Sequence, residues 1–251
     1  MTNNSFFNSI PPVTRHLLLL NILIWLISFV LMSTQHFDLN IYLGLHWVKS
    51  PDFNPAQIIT YMFMHDNSGI THIFFNMFSL YMFGRLLEQV LGGKRYLFYY
   101  ISTGIGAAVI QMLVIYMQIS SVEKLMSPEM VYTVYQQGAD LMHQGLTYAQ
   151  PEMKMLNSLV NAPIVGASGA VFGILLAFGM IFPNIPLYLF FIPVPIKAKY
   201  MVIGYGLLEL FFGVSGTMDN VAHFAHLGGM IFGIFIILYW KKKGIISGRY
   251  Y

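Results

Sequence analysis

The sequence predicts an all-α membrane protein, a single domain over residues 1–251 built as a bundle of six transmembrane helices. Composition is the first reason. Hydrophobic residues make up 57% of the chain and charged residues 9%, with a mean hydropathy of +0.64, whereas a soluble domain carries about 25% charged residues. The second reason is that the apolar residues fall into runs near the roughly 20 residues that cross a bilayer. Six such runs lie at about 13–33, 71–91, 97–117, 165–182, 200–214 and 221–240.

Taken in order, the first run has no small-residue cleavage site behind Met32 and is read as a retained helix. A long loop, 34–68, leads to the second run, whose polar residues cluster at its start. Runs two and three are close together. A longer loop, 118–162, separates run three from run four; it is polar with scattered Tyr and Met and is expected to hold an amphipathic helix. Pro183, Pro186, Pro193 and Pro195 punctuate the link from run four to the short fifth run.

The third reason is charge placement, because Lys and Arg gather in cytoplasmic connections. Arg15, Arg85, Lys94, Arg95, Lys197, Lys199, Lys241, Lys242, Lys243 and Arg249 fall on one side of a six-span chain, and only Lys49, Lys124 and Lys154 on the other. Ten against three puts both termini in the cytoplasm and the loops 34–68 and 118–162 outside. The run Lys241–Lys243 is then a stop signal beside anionic lipid. A net charge of +3 does not suggest a nucleic-acid partner, and the absence of cysteine excludes disulfides, thiol nucleophiles and thiolate metal sites. The lack of cysteine and the compact six-span core fit a bacterial plasma membrane.

With this topology, runs two, four and six enter from outside, and each carries an unusual polar residue near its outer end. These are His72 and Asn76 in "THIFFN", Ser168 in "GASG" and His226 in "VAHFAHLGGMIFG". Each lies about four to six residues below its helix start, roughly 6–9 Å at 1.5 Å per residue. Polar residues at this depth face a bundle interior or a water-filled cavity. Their chemistry is complementary: a serine hydroxyl needs a base, and histidine is the usual one. Gly169 and Gly173 on run four, with Gly228, Gly229 and Gly233 on run six, allow the close approach that would join Ser168 to His226. His72 and Asn76, four apart, share a helix face and can donate to an oxyanion together with the Ser168 amide. Gly166 gives the chain freedom to turn into that helix.

At these residues the chain resembles the rhomboid family of intramembrane serine proteases. The family's GxSG is Gly166-Ala167-Ser168-Gly169, its AHxxGxxxG runs from Ala225 and His226 to Gly229 and Gly233, and its HxxxN is His72 and Asn76, with Gly84 and Glu88 following. The likeness covers residues 60–240. It implies Ser168 as nucleophile, His226 as general base, and His72, Asn76 and the Ser168 amide as oxyanion donors. It implies no metal and no cofactor, and transmembrane proteins as substrates cut near the outer face. Three features depart from the family pattern. Phe172 stands where many members have Tyr, which keeps a stacking ring for His226 but no hydroxyl. Ala56-Gln57 replaces a Trp-Arg pair in the first loop, so that loop needs another anchor. The loop 118–162 is much longer than in compact members.

Other residues invite a role and are read conservatively. His65 is expected to be structural, bonding loop backbone. His223 lies three before His226 and mimics a metal pair, with no carboxylate in view. Glu209 is placed toward the middle of run five, away from the outer motifs, in packing or gating. Asp219 is read as a solvated loop residue, so that a dyad without an acid is the simpler scheme. Two alternatives stay open: a catalytically silent relative that binds transmembrane segments, and a proton-coupled transporter using His72, His226 and Glu209.

Overall fold

The computed structural model describes residues 9–188, 194–216 and 222–246. Helix α1 is Pro12–Gln35. The first loop holds two short helices, α2 (Leu39–Leu43) and α3 (Gln57–Thr60), and a 3-10 turn at Tyr61–Phe63. The second run is one continuous helical rod in three parts: α4 (Thr71–Ser79), a π-helical turn at Leu80–Gly84, and α5 (Arg85–Leu91). Then come α6 (Gly93–Glu123), α7 (Pro128–His143), α8 (Pro151–Asn161) and α9 (Ser168–Ile181). A small antiparallel hairpin, β1 (Pro186–Leu187) with β2 (Ile196–Lys197), precedes α10 (Ala198–Ser215) and α11 (His223–Lys242).

Four of these helices, α1, α6, α10 and α11, are long and apolar enough to cross a membrane, while α9 is a shorter apolar helix. The chain is a helical membrane protein. The start expected for the sixth run, at 221, lies outside the described residues.

Helix α9 is the centre of the bundle, with nearly every residue from Gly169 to Ile181 buried. It packs against α6 and α11, and missing side chains set the separations. A Cβ on Gly229 would collide with the Gly169 carbonyl, one on Gly169 with Ala107, and one on Gly173 would stand 2.6 Å from Thr103 Cβ. Tyr99 closes the same layer by donating its hydroxyl to the Gly173 carbonyl at 2.8 Å. The outer helices α1 and α10 expose Leu23, Leu26, Val30, Leu207 and Phe211, the lipid-facing side expected where a helix has few protein neighbours.

The two long loops form one polar and apolar cap. In the first, Gln57 is buried and is the anchor: its amide donates to the carbonyls of Tyr42 (3.1 Å) and Asp52 (2.8 Å) and accepts from the His46 amide (3.3 Å). The loop 118–162 holds more structure than one amphipathic helix. Helix α6 continues to Glu123, and α7 and α8 fold back on it around a second core of Trp47, Ile115, Ile119, Val122, Val134, Met153, Leu156 and Val160. Ile115, Ile119 and Val122 share one face of α6. Interleaved Gln118, Ser120, Ser121 and Glu123 hide that face from average hydropathy. Ser50 donates to Asn161 at 2.8 Å and His143 meets Asp52 at 2.9 Å, tying the two loops together.

At the opposite end Glu88 holds α1 in place. The first amides of a helix have no partner within it, and Pro11 offers α1 no capping side chain. Glu88 supplies the acceptor from α5, taking the Val13 amide at 2.9 Å and the Thr14 amide and hydroxyl at 2.7 Å each. Glu88→Ala leaves two buried donors on Thr14 and the half-buried Val13 amide unpaired. It should lower stability by about 3 kcal/mol or more, read as a thermal melt in detergent, with activity falling only as folded protein is lost.

His65 sits fully buried in the first loop, its ring 5.3 Å from that of His72. Burial, reinforced by the neighbouring His72, pushes its pKa down from 6.5 to about 3. Burial also lowers that of His46. A histidine held neutral when folded but free to charge when unfolded adds full stability above the unfolded pKa and loses it as pH falls. The melting temperature should therefore drop as pH falls from 6.5 toward about 3, and His65→Gln should make that slope shallower. An unchanged slope would remove His65 from the account.

Candidate active site

Helix α9 has 14 residues, a length of about 21 Å at 1.5 Å per residue, against roughly 30 Å for the hydrocarbon core. Ser168 is its first residue, not one several residues below the start. The polar side chains come together because three helices begin there: His72 is second in α4 and His226 fourth in α11. Irregular backbone at such depth is tolerated only where protein or a water-filled cavity surrounds it. Here the first loop satisfies it. Leu45 and Ile164 exchange backbone hydrogen bonds of 2.9 Å, and the Gly166 amide donates to the Tyr61 carbonyl at 3.0 Å. Gly166 itself has φ +131°, a conformation that side chains other than glycine's adopt only with strain.

Ser168 Oγ lies 2.8 Å from His226 Nε2. The Phe172 ring, one turn after Ser168, stacks on the His226 ring at 4.2 Å between centroids and 6° between planes. That contact fixes the imidazole plane without a hydroxyl. His72 faces the same point. The Asp66 amide donates to His72 Nδ1 at 3.2 Å, which leaves the proton on Nε2. A Cβ on Gly166 would stand 3.1 Å from His72 Nε2 and 3.4 Å from Ser168 Oγ. The absent side chain therefore leaves a gap of about one atom between a hydroxyl and a ring N–H. Asn76 is buried one turn further in, and its amide donates to the His72 carbonyl at 2.9 Å. One N–H of that amide remains for another acceptor. The backbone adds donors, since the first amides of α9 lack intrahelical acceptors and Ala167 supplies no cap.

The structure corrects the reading of Glu209. It is the twelfth of the 18 residues of α10, and it faces α11 instead of packing away from the motifs. Its Oε2 stands 2.6 Å from His223 Nδ1 and 2.9 Å from His226 Nδ1. The His223 contact is the better aligned, while His226 Nδ1 meets the carboxylate off the ideal hydrogen-bond direction. The sequence singles out this residue but not its partners, which lie on another helix. The carboxylate missing from the sequence reading of His223 is thus present, and the three residues bring ligand-type atoms within 4.8 Å. The 2.6 and 2.9 Å separations are those of hydrogen bonds; two donors spanned by zinc at 2.0–2.2 Å in a tetrahedron stand about 3.3 Å apart. Asp219 lies outside the described residues.

Comparison with known proteins agrees with the motifs. The chain is similar over 174 residues, at 30% identity, to RHOMBOID-like protein 12, mitochondrial, of Arabidopsis thaliana, a match covering 68% of this chain and 42% of that protein. The chain thus spans less than half the length of that relative. The family model described as the Rhomboid domain matches residues 53–243, which takes in Gln57, the loop 118–162 and every residue gathered around Ser168. The helical membrane fold and this match together show that the chain belongs to the rhomboid family.

Proposed function

We propose that this protein is an intramembrane serine endopeptidase that cuts other membrane proteins near the outer face of the bilayer. The observation that carries the proposal is the 2.8 Å contact from Ser168 Oγ to His226 Nε2, at a depth where a polar pair has no packing advantage. All six apolar runs, α9 and the α4–α5 rod included, serve as spans in this reading. The ten-to-three split of Lys and Arg supports cytoplasmic termini. A bacterial plasma membrane remains our reading of the host membrane; the mitochondrial label belongs to the relative.

In this mechanism Ser168 Oγ attacks the scissile carbonyl carbon while its proton passes to His226 Nε2. The carbonyl electron pair moves onto oxygen, in the gap that Gly166 leaves open between Ser168 Oγ and His72 Nε2. His72 Nε2–H, the free Asn76 N–H and the α9 amides stabilise that charge as it forms. The His226 proton then goes to the leaving nitrogen as the C–N bond breaks, and water enters by the same steps in reverse to release the acyl group. No metal or cofactor has a part in these steps. A silent relative that only binds transmembrane segments would not need a serine–histidine contact. A proton-coupled transporter would need polar groups leading on to the cytoplasmic side, and the inner halves of α9 and α11 offer apolar residues instead.

A fluorophosphonate should label the protein at Ser168 alone, and a single-span substrate should be cleaved. Ser168→Ala and His226→Ala should each abolish cleavage, and the double variant should be no worse than either, as for groups that act as a unit. Cleavage by Ser168→Ala at an appreciable rate would end this mechanism.

His72→Ala and Asn76→Ala should slow turnover by about ten- to a hundredfold without abolishing it, since each leaves other donors in place. Turnover and melting temperature measured on the same samples decide the point. If activity falls only with folded protein, α4 is scaffold and contributes no oxyanion donor.

A further inference from the structure

We propose that Glu209 is the positioning carboxylate of the Ser168–His226 pair, so that the site works as a triad whose acid is carried by α10. The inference rests on the serine-protease reading above. Its basis is the arrangement around one oxygen atom: Glu209 Oε2 stands 2.9 Å from His226 Nδ1 and 2.6 Å from His223 Nδ1. The histidine whose Nε2 meets Ser168 therefore has a carboxylate on its other nitrogen.

Three properties of this arrangement matter. The first is orientation. For Nε2 to accept the Ser168 proton, the resting proton of His226 must sit on Nδ1. A carboxylate at Nδ1 favours that tautomer, because it can only accept. The second is charge. When Ser168 gives up its proton the imidazole becomes an imidazolium, and the Glu209 carboxylate remains ionised beside it, as the acid does in soluble triads. No proton is passed to Glu209, and the proton on Nε2 still leaves with the departing nitrogen. The third is support. His223 is buried one turn before His226, and its 2.6 Å hydrogen bond keeps the carboxylate at this spot. The Glu209 side chain is 14% exposed and that of His226 10%, so water screens their interaction only in part. The oblique approach to His226 in the substrate-free protein agrees with this role, since catalytic hydrogen bonds often align only once substrate is bound. Phe172 fixes the plane of the ring, but stacking leaves the ring free to flip about that plane. A partner at Nδ1 is what distinguishes one edge from the other.

A merely structural Glu209 would tie α10 to α11 through His223 and leave the chemistry alone. Glu209→Gln separates the two, because it keeps the size and hydrogen-bonding capacity and removes the charge. The rate constant for fluorophosphonate labelling of Ser168 should fall about a hundredfold or more, the loss in soluble triads being about 10⁴. KM for a cleaved substrate and the melting temperature should stay near their wild-type values. Glu209→Asp, which keeps the charge but withdraws it, should fall between. Spectra of ¹⁵N-histidine protein in detergent should show His226 protonated on Nδ1 in the wild type and a mixed tautomer in Glu209→Gln. Labelling of Glu209→Gln at the wild-type rate overturns the proposal, as does a loss that only follows folded protein. Should Glu209→Gln not fold, Glu209→Asp carries the test, and labelling at the wild-type rate overturns it. Activity that vanishes with a chelator and returns with Zn²⁺ would make the trio a metal centre and also overturn it. If the wild type neither labels nor cleaves, the protease reading fails by itself. The tautomer then decides the positioning role: its change in Glu209→Gln supports the role and its persistence refutes it.

Discussion

The shortness of α9, the central apolar helix, is the constraint on which the rest of the structure depends. Fourteen residues of α9 cannot span a hydrocarbon core of roughly 30 Å, so the chain must reach Ser168 as irregular backbone. Lipid offers such backbone no hydrogen bonds. The first loop is the answer, with Leu45 paired to Ile164 and Tyr61 accepting from Gly166. That loop is itself held by the buried amide of Gln57. The same shortness leaves the first amides of α9 without intrahelical acceptors beside the Ser168 hydroxyl.

Close packing of helices supplies the second requirement, a fixed distance. The backbone of α11 lies against that of α9 because neither Gly229 nor Gly169 carries a side chain. Membrane helices gain little from hydrophobic association and rely on such contacts. Ser168 and His226 sit directly beside this contact, and their 2.8 Å separation is its consequence. The peripheral helix α10 is held differently. It exposes most of its apolar surface, and its polar link to α11 is the Glu209 carboxylate between His223 and His226. The two histidines are three apart, so both Nδ1 atoms reach one oxygen.

Much of the site was legible in the sequence. Ser168, His226, His72 and Asn76 stand out because polar groups are rare in an apolar chain. Glu209 was not legible as a neighbour of His226. The end expected for run five, 214, is within one residue of the end of α10. What a single segment does not reveal is which face of α10 meets α11, and that decides whether the carboxylate reaches the two histidines. The helices α7 and α8 were half legible. Their core faces appear only when residues are spaced around a helix, as with Met153, Leu156 and Val160 on α8.

By itself the sequence determined the class of the protein and the family to which it belongs. Both depend on composition or on motifs that survive in one dimension. Tertiary structure alone decided that α9 starts at Ser168, that Gln57 anchors the first loop, that Glu88 caps α1 across the bundle, and that Glu209 reaches both histidines. The last two join residues 74 and 17 positions apart along the chain. Their proximity depends on where helices end and how closely glycines let them approach, and neither quantity is encoded in the spacing of any single segment.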